Sequence, residues 1–206
     1  MNPQENLHRA RNLALLILLA FDGLLLGQAN PAPPQTAAAK RAELVQAALA
    51  QVGVTVSYDP AYEKLAYPNG DVPLDRGVCT DVVIRALRQV GVDLQVLVHE
   101  DKMHSPGAYP PGPLDASIDQ RRVPNLMALF RREKREVPIT PSGADYLPGD
   151  IVAWRLPSGQ LHVGIVTDRL VPGANRPLVV HNIGDGAQCE DVLFAFTLIG
   201  HYRWFV

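Results

Sequence analysis

Cysteine is scarce in this chain: two in 206 residues, Cys79 and Cys189. A disulfide framework is therefore excluded, and a chain of this length builds one hydrophobic core without a staple. A single bond between the two thiols is possible in an oxidising compartment, but a nucleophile plus an incidental thiol fits a domain of this size better. Excess charge is also missing. The net charge is −2, and the densest basic stretch is Arg131-Arg132-Glu133-Lys134-Arg135, the solvated tail of a helix. Nucleic acid is accordingly not an expected partner. No His-Glu-x-x-His or Cys-x-x-Cys spacing exists, and His99 and His104 stand in a Pro- and Gly-dense stretch, which argues against a zinc amidase. There is no internal repeat.

The first thirty residues read as a targeting segment. His8, Arg9 and Arg11 precede an apolar run from Leu13 to Leu26, interrupted by Asp22 and Gly23. That run is short for a membrane span, which needs about 20 residues. Gly27-Gln28-Ala29 supplies small residues at the two positions a signal peptidase reads, so a signal peptide over 1–29 is expected, with an uncleaved anchor as the alternative. No cysteine follows the run, which excludes a lipoprotein anchor. Residues 30–36, with Pro31, Pro33 and Pro34, form a flexible leader, and residues 37–206 one domain.

Within that domain the period changes along the chain. Ala37 to Val52 reads as a helix stopped by Gly53. Residues 54–78 carry Tyr58, Tyr62, Tyr67 and the turn Asn69-Gly70-Asp71 and read as irregular. A second helix follows from Thr80 to Val90, the stretch from Gly91 to Ser117 as a long ordered loop, and a third helix around Pro124–Phe130. After residue 148 come four short β-branched or aromatic segments, at 151–156, 161–167, 177–182 and 199–206. Helices first and an antiparallel sheet afterwards predict an α+β domain with the second helix packed on a four-stranded sheet.

The chemistry concentrates in that second helix. Val82, Val83, Ala86, Leu87 and Val90 recur at helical spacing, while Asp81, Arg85, Arg88 and Gln89 fall on the other side. Cys79 stands where the loop becomes the helix, and a thiol there is expected to feel the positive end of the helix dipole and to ionise readily. A buried core cysteine is the competing reading. His162 opens the segment His162-Val-Gly-Ile-Val, and His181 lies in the next one, Leu178-Val-Val-His181-Asn182. Antiparallel neighbours bring side chains to about 5 Å, so the two imidazoles can touch. A base needs a partner to fix its tautomer, and a second histidine supplies one.

Gly-Val-Cys79-Thr-Asp, Pro-Gly-Asp150-Ile-Val, His162-Val-Gly-Ile-Val and Val-Val-His181-Asn together resemble the NlpC-type papain-like cell-wall cysteine peptidases of bacteria. More closely, residues 40–206 resemble the bacterial domain of unknown function 1287 family, grouped with that superfamily. The resemblance implies a papain-like fold, Cys79 as nucleophile, His162 as general base and His181 as its orienting residue, with Asn182 as the alternative third residue. It implies an active-site tyrosine near Tyr58, no metal or organic cofactor, and peptidoglycan or a cell-wall peptide as the partner in the periplasm or envelope. Val78 stands where the superfamily has aspartate, and Thr80-Asp81 where it has Ser-Gly. The expected activity is hydrolysis of an amide bond in peptidoglycan stem peptides; the alternative is an envelope module that binds such peptides in the cleft without cutting them.

Overall fold

A chain whose first half carries helical spacing and whose second half alternates must bury two kinds of apolar face against each other. The computed structural model describes residues 35–206, and these form one compact unit. The expected signal peptide over 1–29 and most of the expected leader over 30–36 lie outside the described residues. Elements follow in the order α1 (Ala37–Leu49), β1 (Ser57–Tyr58), β2 (Arg76–Gly77), α2 (Cys79–Gln89), α3 (Leu94–His104), α4 (Val123–Arg132), β3 (Ile151–Arg155), β4 (Leu161–Leu170), β5 (Pro177–Asn182), β6 (Ala187–Glu190) and β7 (Thr197–Tyr202). The architecture is α+β. Among the described residues no helix is long and apolar enough to cross a membrane.

The sheet is antiparallel throughout, in the order β6-β5-β4-β3-β7. It has five strands where the sequence predicts four. The extra one, β6, is a four-residue edge strand, too short and too polar at its end to show as alternation. Along β3, Ile151 and Ala153 face the helices while Val152 and Trp154 face a second, smaller cluster with Val166, Val179 and Leu193. Both faces of the central strands are thus buried, which explains why they read as near-continuous apolar runs. The larger cluster joins Leu44 and Ala48 of α1, Val83 and Leu87 of α2, and Phe130 of α4 to that first face. Full burial of each of the larger of these side chains, Leu44, Val83, Leu87 and Phe130, contributes about 1.5–3 kcal/mol.

α1 starts at Thr36, whose hydroxyl accepts from the Ala39 N–H at 3.2 Å, and ends three residues before the expected Val52. Its last turn loosens, with Gln51 and Val52 donating to carbonyls three residues back before Gly53 turns at φ 79°. The larger correction is α3, which occupies the stretch expected as a loop. Asp93 caps it, accepting from Gln95 N–H at 2.9 Å. Its buried residues are Leu94, Gln95, Val98 and Lys102, so half of its inward face is polar and the apolar spacing is broken. Lys102 reaches Asp119 at 2.7 Å, and Gln95 accepts from the Gly70 N–H at 2.8 Å.

At the far end of the sheet Asp150 ties the C-terminus to the turn before β3. It is fully buried and accepts from Arg203 Nε at 2.8 Å, Arg203 Nη2 and His201 Nε2 at 2.7 Å, and the Leu147 N–H at 2.8 Å. His201 Nδ1 faces the Pro138 carbonyl at 2.8 Å, so both ring nitrogens meet acceptors. Burial by itself would raise the Asp150 carboxyl, but the bonds from Arg203 and His201 outweigh it and hold the group below the usual carboxylate range. A depressed carboxyl stabilises the fold above the unfolded value, near pH 3.9, and that contribution is lost as pH falls through the folded value. Asp150→Asn leaves Arg203 and His201 facing a neutral amide and is expected to cost about 3–5 kcal/mol. Urea unfolding at neutral pH should show a loss of unfolding free energy of that size, read as a lower midpoint at an unchanged slope; an unchanged midpoint would remove Asp150 as the anchor of this corner.

Candidate active site

Cys79 is the first residue of α2, and what holds it there is Asp81. Val78 at the N-cap has no side chain to accept a hydrogen bond, so the Asp81 carboxylate reaches back to the Val78 N–H at 2.7 Å. Gly77 makes this approach possible, since a Cβ there would lie 2.9 Å from Asp81 Oδ2. The thiol then inserts where the sheet opens. The β4–β5 ladder begins only at Ile165 opposite Val180. Val166 N–H points toward β3, donating to the Asp150 carbonyl, so by alternation the Val163 N–H faces the β5 side. With no β5 partner there, it donates to the Cys79 sulfur instead.

The expectation of a readily ionised thiol is corrected here. Burial dominates and pushes the Cys79 thiol up to about 12, overriding the Val163 bond that favours thiolate; the Asp81 charge adds to the rise. His162 moves the opposite way, down to about 3, through burial and the neighbouring His181. The resting pair is therefore thiol and neutral imidazole. A helix N-terminus helps a thiolate only when water or a cation shares the work, and Cys79 is 4 % exposed.

His162 and His181 meet as the sequence suggests. His162 Nε2 lies 2.9 Å from His181 Nδ1, and His181 Nε2 lies 2.9 Å from Glu190 Oε2. The His162 ring also stacks on Trp154, with centroids 5.6 Å apart, and the Trp154 N–H is taken by the Leu193 carbonyl at 3.0 Å. Nδ1 of His162 has no hydrogen-bond partner among the described residues. Cys79 and His162 line one cleft of about 510 Å³, together with Tyr58, Arg121, Arg122, Leu161 and other mainly apolar side chains.

Behind the cleft lies the polar side of α2, which the helical pattern places away from the core but which does not face solvent. Asp81 and Arg85 are 2 % and 6 % exposed. Arg121 clasps Asp81 with Nε to Oδ1 at 3.0 Å and Nη2 to Oδ2 at 3.0 Å, and donates onward to the carbonyls of Ala61 at 3.1 Å and Asp59 at 3.2 Å. Arg85 takes Asp71, Thr55 and the carbonyls of Val72, Pro73 and Arg76. These two guanidinium groups replace regular structure in organising residues 54–78. The segment keeps a two-residue parallel ladder, Ser57 with Arg76 and Tyr58 with Gly77, which delivers Tyr58 to the cleft. Burial raises the Tyr58 phenol, and the charge of Asp81 adds to it.

Asn182 does not join His162. It donates to the Gly77 carbonyl at 2.9 Å and the Ser57 carbonyl at 3.3 Å, pinning the β1–β2 ladder to the sheet. Strand alternation accounts for this, because Asn182 and His181 point to opposite faces. Cys189, on β6, is a free thiol, as is Cys79. His99 packs on Tyr67 and His104 on the Glu100 carbonyl, and neither lines the cleft. Sequence reasoning missed Glu190, Arg121 and the burial of Asp81. For Glu190 the available signal was its place nine residues after His181, across a Gly- and Asp-bearing turn that reads as a hairpin.

A family profile described as Domain of unknown function (DUF1287) matches residues 45–204. The chain is also similar to "Uncharacterized protein YijF" of Escherichia coli (strain K12), with 49 % identity over 204 residues, 95 % of this chain and 98 % of that one. Cys79, both histidines and Glu190 all fall inside the matched span, and the chain belongs to the DUF1287 family.

Proposed function

We propose that the chain is a papain-like cysteine hydrolase that cuts an amide bond in peptidoglycan stem peptides after export to the envelope. One observation carries the reading: the His162–His181 bond engages Nε2 and leaves Nδ1 free in the cleft that Cys79 lines at the head of α2. That is a nucleophile with a base, and a base with an orienting group. Cys79 Sγ attacks the substrate carbonyl as its proton passes to His162 Nδ1. The N–H groups at the start of α2 stabilise the oxygen that becomes negative. Collapse breaks the C–N bond, His162 returns the proton to the leaving amine, and a thioester remains. Water, losing its proton to His162, then releases the acid and restores the thiol.

Charge in the cleft supports an anionic peptide. Arg121 is neutralised by Asp81, no acidic side chain lines the cleft, and Arg122 is exposed on its rim with no ion pair among the described residues. Stem peptides carry free carboxylates, and a guanidinium is the group suited to clasp one. The burial of Cys79 favours the rival, a module that binds cell-wall peptides without cutting them. Turnover separates the two.

Cys79→Ala and His162→Ala are each expected to abolish release of new amino termini from purified peptidoglycan, to below about one-thousandth of the wild-type rate. Unchanged binding with no turnover in the wild type would establish the rival instead. Arg122→Ala should raise KM for carboxylate-bearing peptides about 10-fold, the scale of one charged hydrogen bond, with kcat nearly constant. Amidated peptides should show no such change. The neutral thiol predicts slow labelling by iodoacetamide at about pH 6, with the Cys79 rate climbing only beyond about pH 8.5. Fast labelling at the lower pH, slowed by His162→Ala, would show that the resting pair is ionised after all.

A further inference from the structure

A histidine paired with another histidine has an ambiguity that a carboxylate partner does not. In the contact between His162 Nε2 and His181 Nδ1, at 2.9 Å, either nitrogen can donate, and the hydrogen bond is equally good both ways. The two arrangements are chemically opposite. If His162 donates from Nε2, its Nδ1 carries a lone pair toward the cleft and can take the Cys79 proton. If His181 donates, neutral His162 holds its proton on Nδ1 and cannot act as a base toward the thiol. Nothing within the pair selects between them.

We propose that Glu190 is the positioning residue that makes this selection. Its carboxylate, 2.9 Å from His181 Nε2, only accepts. It therefore holds the His181 proton on Nε2, leaves His181 Nδ1 as an acceptor, and obliges His162 to donate from Nε2. The chain of two bonds fixes a lone pair at His162 Nδ1 two residues away from the carboxylate. The role rests on the reading of His162 as the base, but the tautomers themselves exist whether or not the chain hydrolyses anything.

The surroundings leave the choice to Glu190. From β3 the neighbour is Trp154, which stacks on His162 and spends its N–H on the Leu193 carbonyl. From β6 the residue opposite His181 is Gln188, whose amide donates to the Asp185 carbonyl at 3.1 Å. From β4 there is His162 itself, and across the cleft the thiol of Cys79 and the phenol of Tyr58. His181 is 1 % exposed, and burial holds it below the usual imidazole range although Glu190 opposes that shift, so the ring is neutral and has a tautomer to choose. Glu190 sits on an edge strand with its side chain 49 % exposed, so it can be exchanged without opening the core.

The test is the long-range ¹⁵N–¹H spectrum of the ¹⁵N-histidine-labelled chain at neutral pH, which reads the protonated nitrogen of each ring. In the wild type both His162 and His181 should be single Nε2–H tautomers. In Glu190→Gln, whose amide accepts or donates with equal ease, both rings should shift together to a mixture or to Nδ1–H; Glu190→Asp, still acceptor-only, should restore the Nε2–H form. Wild-type rings protonated on Nδ1, or a Glu190→Gln spectrum identical to the wild type, would overturn the proposal. On turnover, Glu190→Gln should lower kcat about 10-fold with KM unchanged, through loss of the base-competent tautomer and of the charge that supports the imidazolium. Expected tautomers in a chain that hydrolyses no cell-wall peptide would count against the hydrolase reading and leave the role of Glu190 standing.

Discussion

One carboxylate, that of Asp81, holds the two walls of the cleft together. It caps the N–H of Val78 and so fixes where α2 begins, and with it where Cys79 stands. It also receives bonds from both Nε and Nη2 of Arg121, which passes the connection on to the backbone of Asp59 and Ala61 beside Tyr58. Buried ion pairs often contribute little net stability, because desolvation offsets the attraction. Here the pair does a different job. It fixes the position of a segment whose own regular structure is a single two-residue ladder, and a carboxylate left without Arg121 would be a buried, uncompensated charge.

The electrostatics of the cleft follow from dryness more than from charge. The backbone N–H groups of Val163, Thr80 and Cys79 favour a thiolate, yet burial leaves Cys79 a thiol and His162 a neutral base. In the proposed hydrolysis, charge separation is thereby deferred until a substrate carbonyl can share it. A site built in this way protects its thiol from adventitious oxidants, since the thiolate is the reactive form. The sheet opening between β4 and β5 gives the sulfur its place, by freeing one N–H that a continuous ladder would have used.

Much of this is legible in the sequence, and the failures share a cause. The helix behind Cys79, the strands bearing His162 and His181, and their contact all follow from spacing. α3 escapes because Gln95 and Lys102 occupy inward positions where the pattern needs apolar side chains. The polar side of α2 can be read but its burial cannot, since periodicity distinguishes polar from apolar and is silent on whether a polar side chain meets water or another protein group. Glu190 escapes for the complementary reason. It is an ordinary exposed glutamate by composition, and only the diagonal register between β5 and β6 brings it to His181.

Gly164 sets a limit on how such a chain can vary. A Cβ at that position would lie 2.8 Å from Val179 Cγ1, 2.9 Å from the Val180 carbonyl oxygen and 3.2 Å from His181 Cβ. Rigid backbone and a strand-anchored side chain cannot retreat as the tip of a lysine could. Any larger residue would drive β5 away from β4 and stretch the imidazole–imidazole contact beyond hydrogen-bonding range. The glycine two places after His162 is thus a spacer, and it makes the histidine pair a property of four positions: 162, 164, 181 and 190. A natural chain carrying both histidines but a side chain in the spacer position would have to orient its base by other means, and its amino-acid sequence alone would reveal the difference.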